Sequence, residues 1–330
     1  MSLSTKDIKS RTSSVKNIRK ITRSMQLISA AKMQRNVRLA TQSRQYSTVL
    51  EETLSRIAKD DTVQHPLFSV RPVKKILLIL VTSNRGLAGS YNSNILRAAD
   101  AYRAKLKSKE LLEIQVLAVG KKAAVWAKKR GLKLIALYDA LGDTPFLFEC
   151  KPIIKQIVDN YVNGTVDTVQ IIYTFYKNSL VQNVVQKTLL PFRQSKGNEE
   201  TIPEVKSVQT YEDGYPLHEV TAGFRTDMFT AQIARSALIP GIKYEPDKQT
   251  VSDYLAKRGV ETQLYQSLLD AAASEHSSRM MTMQNATNNA GDLIYNLTLL
   301  YNKKRQSKIT QEVAEIIAGM ETQSDEEEDI

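Results

Sequence analysis

Three groups of residues in this 330-residue chain are of types that do chemistry. The first is SNRGLAGSYN, residues 83–92, set between the apolar run ILLILV (Ile76–Val81) and the helix-like NILRAADAYRAKL. Strand, glycine turn and helix in that order is how many nucleotide enzymes hold phosphate. The spacing argues otherwise. A dinucleotide fingerprint needs G-x-G-x-x-G, and a phosphate loop needs G-x-x-x-x-G-K-[ST]. Here only Gly86 and Gly89 are present, no lysine follows them, and the next acid, Asp100, falls on the helix. The expected role is a strand-to-helix corner in which glycine supplies a positive φ. The corner leaves Asn84 and Arg85 at the carboxyl end of a strand, placed for polar contact with a partner protein.

The second group is Glu275, His276 and Arg279 in SEHSSRMMTMQNATNNAGDLIYN, residues 274–296. An adjacent Glu and His point to different faces of a helix, and no third group completes a base–nucleophile pair. The stretch reads as a packing seam with a polar edge, its gaps filled by Met280, Met281 and Met283. The third group is Cys150 with His65, His218 and His276. A single cysteine excludes an internal disulfide, a cysteine zinc site and an intramolecular thiol switch. The histidines lie far apart and have no ligand spacing. No catalytic residue, cofactor or metal is expected.

Long helices must position these groups. From Ser4 to about Lys59 there is neither Gly nor Pro, and apolar residues recur at Ile8, Val15, Ile18, Ile21, Met25, Ile28, Val37, Tyr46, Val49, Leu54 and Ile57. Spacings of three, four and seven predict one helix about 80 Å long that needs a partner along its length. The partner is expected over residues 247–320, striped at Leu264, Leu268, Met283, Ala290, Ile294, Leu297 and Tyr301, then Ile309, Val313 and Ile317. Between them, residues 73–242 alternate strand-like runs (74–83, 114–120, 133–138, 168–176) with helix-like ones. The expected fold is therefore α/β. The N-terminal helix (1–60) and the C-terminal helix form an antiparallel coiled coil around a central Rossmann-like α/β domain. Residues 194–239 read as an extended loop region, with an edge strand at 204–210, and 321–330 as a disordered acidic tail.

The formal charge of +11 includes five acids in the tail, so the rest of the chain is more basic still. From Lys6 to Arg38 ten Lys or Arg face one acid, Asp7, which implies an acidic partner. A nucleic acid is one candidate on charge alone, but the first aromatic in that helix is Tyr46, so there is little to stack bases. A nucleotide-dependent enzyme is a second candidate, and neither accounts for the paired terminal helices. No apolar run reaches the ~18 residues of a membrane span, and the polar N-terminus has no apolar core of a secretory signal.

Three segments carry a family resemblance: IKSRTSSVKNIRKITRSMQLISAAKMQR (8–35), SNRGLAGSYN, and YQSLLDAAASEHSSRMMTMQNATNNAGDLI with YNKKRQSKITQEVAEIIAG (265–294, 301–319). Together they resemble the gamma subunit of F-type ATP synthase. That resemblance implies a central rotor shaft with no catalytic site of its own, inside a ring of alternating alpha and beta subunits. It implies contact with the epsilon subunit and the membrane c-ring, and no nucleic acid partner. It also implies a peripheral place on the cytoplasmic face of a bacterial inner membrane, or on an organellar inner membrane. By the same resemblance Lys20, Arg23 and Met25 fall where the shaft meets the beta contact loop. Arg279, Arg305, Gln306 and Thr310 fall at polar contacts with the ring, and 313–320 at an apolar bearing. Asn84 and Ala88 depart from the family's usual Asp and Cys. The acidic tail departs as well, and is expected to project beyond the ring.

Overall fold

The computed structural model describes residues 4–60, 63–107, 113–192 and 244–328, the side chains of 107 and 318–328 excepted. The expected loop region 194–239, with its edge strand, lies outside the described residues. Helix α1 spans Thr5–Ala58. Ser4 starts it with a reciprocal cap: the Asp7 N–H donates to Ser4 Oγ and the Ser4 N–H to the Asp7 carboxylate, each at 3.1 Å. This satisfies amide groups that a helix end otherwise leaves open.

The central domain then follows as β1 (Lys75–Val81), α2 (Tyr91–Lys107), β2 (Glu113–Val119), α3 (Lys121–Lys129), β3 (Lys133–Tyr138), α4 (Leu147–Val162), β4 (Thr168–Tyr176) and β5 (Gln182–Leu190). Helix α5, Lys248–Glu328, returns along α1. The sheet order is β3-β2-β1-β4-β5. The first four strands are parallel, in the doubly wound order, and β5 closes the edge antiparallel to β4. The sequence pattern had no strand at β5. Its residues, QNVVQKTLL, lack the apolar density of β1, because an edge strand is buried less.

One sheet face, through Leu77, Ile79, Leu117 and Ile171, packs on α4 and the lower parts of α1 and α5. The other, through Leu78, Leu80, Val116 and Ile172, packs on α2 and α3. Cys150 of α4 is fully buried in the first of these layers, and burial pushes its pKa up to about 12. At the far end of the rod, Ile8 and Val15 of α1 meet Ala290, Ile294, Leu297 and Tyr301 of α5. Leu54 and Ile57 meet Ala256 and Val260 at the near end, so the helices run antiparallel.

Two expectations are corrected. The buried seam of α1 is Ile8, Val15, Ser29, Asn36, Ala40, Ser47, Leu50, Leu54 and Ile57. Ile18, Ile21, Ile28, Tyr46 and Val49, expected in that stripe, are exposed. Small and polar side chains hold the seam because they let the helices approach closely, and apolar periodicity alone does not say which face is inside. The C-terminal helix, expected to end at Met320 with a disordered tail beyond, runs to Glu328 as α5. No Gly or Pro follows Gly319, and Met, Gln and Glu extend a helix readily.

Candidate functional site

The β1–α2 corner is built to seat α5. Gly89 takes φ +53°, as a turn glycine does, and a Cβ there would stand 2.7 Å from Thr282 Oγ1 of α5. Gly86 needs no positive φ, and Leu87 takes one instead, at 62°. Hydroxyls then tie α5 to the carboxyl ends of the strands. Ser278 Oγ donates to the Ala88 carbonyl at 2.6 Å, Ser274 Oγ to Thr174 at 3.2 Å and Ser277 Oγ to Ser179 at 3.0 Å. The Tyr91 hydroxyl donates to the Ala271 carbonyl at 3.3 Å. Strand order reverses between β1 and β4, and the crevice above such a point is where doubly wound folds bind ligands. Here α5 lies across it. The start of α3 is closed too, since Asn84 Oδ1 accepts from the Lys121 N–H and Thr82 Oγ1 from the Ala123 N–H. The serines of SEHSS are the signal for this seat in the sequence.

Beside the seat lies a cavity of about 390 Å³, lined by Asn84, Arg85, Lys121, Asp143, Glu275 and His276 among others. Glu275 and His276, expected to diverge, both reach it, because neighbours on a helix differ by only ~100°. His276 is held between two groups. Arg279 Nη1 donates to Nδ1 at 3.2 Å, and Nε2 donates to the Asp143 carbonyl at 3.2 Å. An arginine only donates and a carbonyl only accepts, so the ring is neutral with its proton on Nε2. Burial, with the Arg279 charge beside it, lowers the His276 pKa to about 4. Burial raises the Glu275 pKa despite its 2.6 Å bridge to Arg279. Among the described residues no cluster of His, Cys, Asp and Glu is arranged to hold a metal.

The residues singled out from the sequence do not form one cluster. Lys20 and Arg23 are exposed and Met25 half-buried, at the level where Thr287 of α5 bonds Thr22 at 2.8 Å and Gln284 bonds Gln26. Arg305, Gln306 and Thr310 are exposed roughly 30 Å further along α5. Arg85 is exposed at the cavity mouth. Arg279 differs: it is 7% exposed and its guanidinium is spent on Glu275 and His276, so within this chain it is internal. Outside the seam the rod shows bare apolar side chains, Ile18, Ile21, Leu27 and Ile28 on α1 and Leu299, Leu300, Ile309, Val313, Ile316 and Ile317 on α5. No helix among the described residues is long and apolar enough to cross a membrane.

Residues 4–322 match a family described as ATP synthase. The ATP synthase gamma chain of Legionella pneumophila (strain Corby) is 32% identical over 316 residues, covering 95% of this chain and 97% of its own. That of Exiguobacterium sibiricum is 33% identical over 322 residues, covering 97% and 99%. The chain belongs to the ATP synthase gamma-chain family. Solved structures agree on the fold. A rotor chain of Euglena gracilis mitochondrial ATP synthase superposes with TM-score 0.55 at 19% identity, over 92% of this chain and 98% of that one. A central-stalk chain of the Tetrahymena thermophila enzyme gives 0.52 at 22% identity, over 81% and 99%. For a gamma chain, the coiled coil joined to a central α/β domain is the expected architecture, and both are present.

Proposed function

We propose that this gamma chain is the central shaft of a rotary ATP synthase. It couples proton-driven rotation of a membrane c-ring to ATP synthesis or hydrolysis in a surrounding ring of alpha and beta subunits. It has no catalytic site of its own, and it contacts an epsilon subunit beside its α/β domain. The observation that carries this reading is the rod surface: two paired helices whose outer faces show unpaired Ile and Leu side chains and a basic α1. Contiguous exposed apolar surface on a charged rod calls for an enclosing partner. Lys20, Arg23 and Met25 would meet the beta subunits at mid-height. Arg305, Gln306 and Thr310 would meet the ring higher up, and Arg85 would make a contact at the base. Arg279 serves from inside, by fixing His276 and Glu275. The shaft sits peripherally, on the cytoplasmic face of a bacterial inner membrane or on an organellar equivalent.

A shaft works by making different contacts with different states of the ring, so its asymmetry biases each catalytic site in turn. The test is ATP hydrolysis by purified alpha and beta subunits from the same source, with and without this chain. The expected outcome is an inert chain that assembles with the ring and raises its turnover several-fold. Hydrolysis by the chain alone, or failure to join the ring, would refute the proposal.

A further inference from the structure

Residues 139–146 run from the end of β3 to the start of α4, and Asp139, Leu141, Gly142, Asp143 and Pro145 form one wall of the cavity. Among the described residues, no backbone–backbone hydrogen bond joins 140–145 to the rest of the chain. Side chains hold the segment instead. Asn84 Nδ2 donates to the Asp139 carbonyl at 2.8 Å, and Thr144 and Pro145 are buried.

Lys121 Nζ lies 3.7 Å from the Asp139 carboxylate. The bonds to the rod converge on Asp143. Its carboxylate meets Lys32 Nζ of α1 at 2.5 Å, and that bond holds its pKa below the usual carboxylate range. Its carbonyl oxygen accepts twice, from Asn36 Nδ2 of α1 at 2.9 Å and from His276 Nε2 of α5 at 3.2 Å. A single residue thus joins the α/β domain to both helices of the rod. Asn36 is fully buried in the seam with its Oδ1 unbonded. An apolar side chain would pack there without that penalty, so the bond to Asp143 gives the amide its reason.

The attachments of α1 also lie at different heights. Leu50, Leu54 and Ile57 pack into the main core, and Arg44 lies over the Phe175 ring. Lys32 and Asn36 are two to three turns further from the core. At this height α5 is held to the domain by Ser274, Ser277 and Ser278 as well, whereas α1 meets it at Asp143.

We propose that segment 139–146 is a releasable strap: closed, it locks α1 to the α/β domain and to the seated α5, and it opens during turnover to let α1 shift along α5. Few backbone bonds, one residue that carries its bonds to the rod, and a cavity alongside are what such an element needs. The strap itself stands on this geometry, while its part in turnover rests on the shaft reading.

Thiol labelling of the full chain carrying Thr144→Cys tests the strap. In the double variant Lys32→Met, Asn36→Leu, a maleimide should modify position 144, buried in the closed strap, at least tenfold faster, while the buried Cys150 of α4 keeps its rate. The charge swap Lys32→Asp, Asp143→Lys should restore most of the protection lost in Lys32→Asp alone. An unchanged rate at position 144, or an equal rise at Cys150, overturns the proposal. For turnover, cysteines at positions 32 and 143 are bridged by a short bismaleimide in the assembled complex. Hydrolysis should fall by more than half on bridging, and undiminished hydrolysis shows that the strap does not open. If the unbridged chain fails to stimulate the ring at all, it is the shaft reading that has failed, and the labelling result stands apart from it.

Discussion

Helix α5 lives in two environments. Between Ala256 and Ser278 it is wrapped by α1, α4 and the ends of the sheet, and residues on all its faces are buried. Between Met280 and Ile317 the same helix keeps one buried stripe, Met283, Thr287, Ala290 and Leu297, and shows apolar side chains to the outside. The difference separates what folds the chain from what the chain is for. In the wrapped half apolar surface is satisfied internally; in the open half it waits for something else.

Substitution should break the two halves differently. Leu264 is fully buried among α1, α4 and the sheet. Leu264→Ala removes that contact and leaves a cavity, so denaturant unfolding should show a loss of about 2–5 kcal/mol. Ile21→Ala, at a position 59% exposed, should change stability by less than ~0.5 kcal/mol. It should nevertheless weaken stimulation of hydrolysis by the alpha–beta ring. Equal stability costs at the two sites would erase the distinction between wrapped and open halves.

A smaller effect sharpens the boundary between them. His276 faces Asp143 of the strap, Lys32 of α1, Arg85 of the β1–α2 corner, and Glu275 and Arg279 of its own helix. Its pKa is about 4 in the folded chain against an ordinary 6.5, so between those values the unfolded chain binds the extra proton. Stability therefore falls as pH drops through that window, by at most about 3 kcal/mol for this residue. Glu275 and Asp270, whose pKa values burial raises, act in the opposite direction as they protonate. The clean measurement is the difference between the wild type and His276→Gln. The variant should lose less stability between pH 6.5 and 4, and parallel curves would show that His276 is not held neutral.

Much of this architecture was legible in the residues. Freedom from Gly and Pro marked α1 to within a residue or two, and apolar runs marked the four parallel strands, because buried parallel strands are continuously hydrophobic. The glycine corner was legible as a turn, since its spacing matched no phosphate motif. Its role as a seat for α5 was not, because three serines donating to strand-end carbonyls leave no periodic trace. The seam of α1 was misread for a related reason: Ser29, Asn36 and Ser47 carry it while Ile18 and Ile21 face out. On a rod whose outer faces carry bare apolar side chains, hydrophobicity marks two surfaces at once. The strap was invisible, since Lys32, Asn36, Asp143 and His276 are far apart in sequence and each is unremarkable alone.

The smallest expected effect lies at the tip. Helix α1 begins at Thr5, near the level of Tyr301 and Lys304 on α5, so α5 beyond that level has no partner helix among the described residues. The match to the family stops at residue 322, short of the acidic run. Acids at a helix C-terminus oppose the helix dipole, so SDEEED contributes no stability to the turn that carries it. Deleting residues 323–330 should leave unfolding within ~0.5 kcal/mol of the wild type. Coupled ATP synthesis by the assembled complex should be nearly unchanged. A marked fall in synthesis with stability preserved would mean that the acids hold a cationic surface of the complex, and the open half of the helix would then end in a contact of its own.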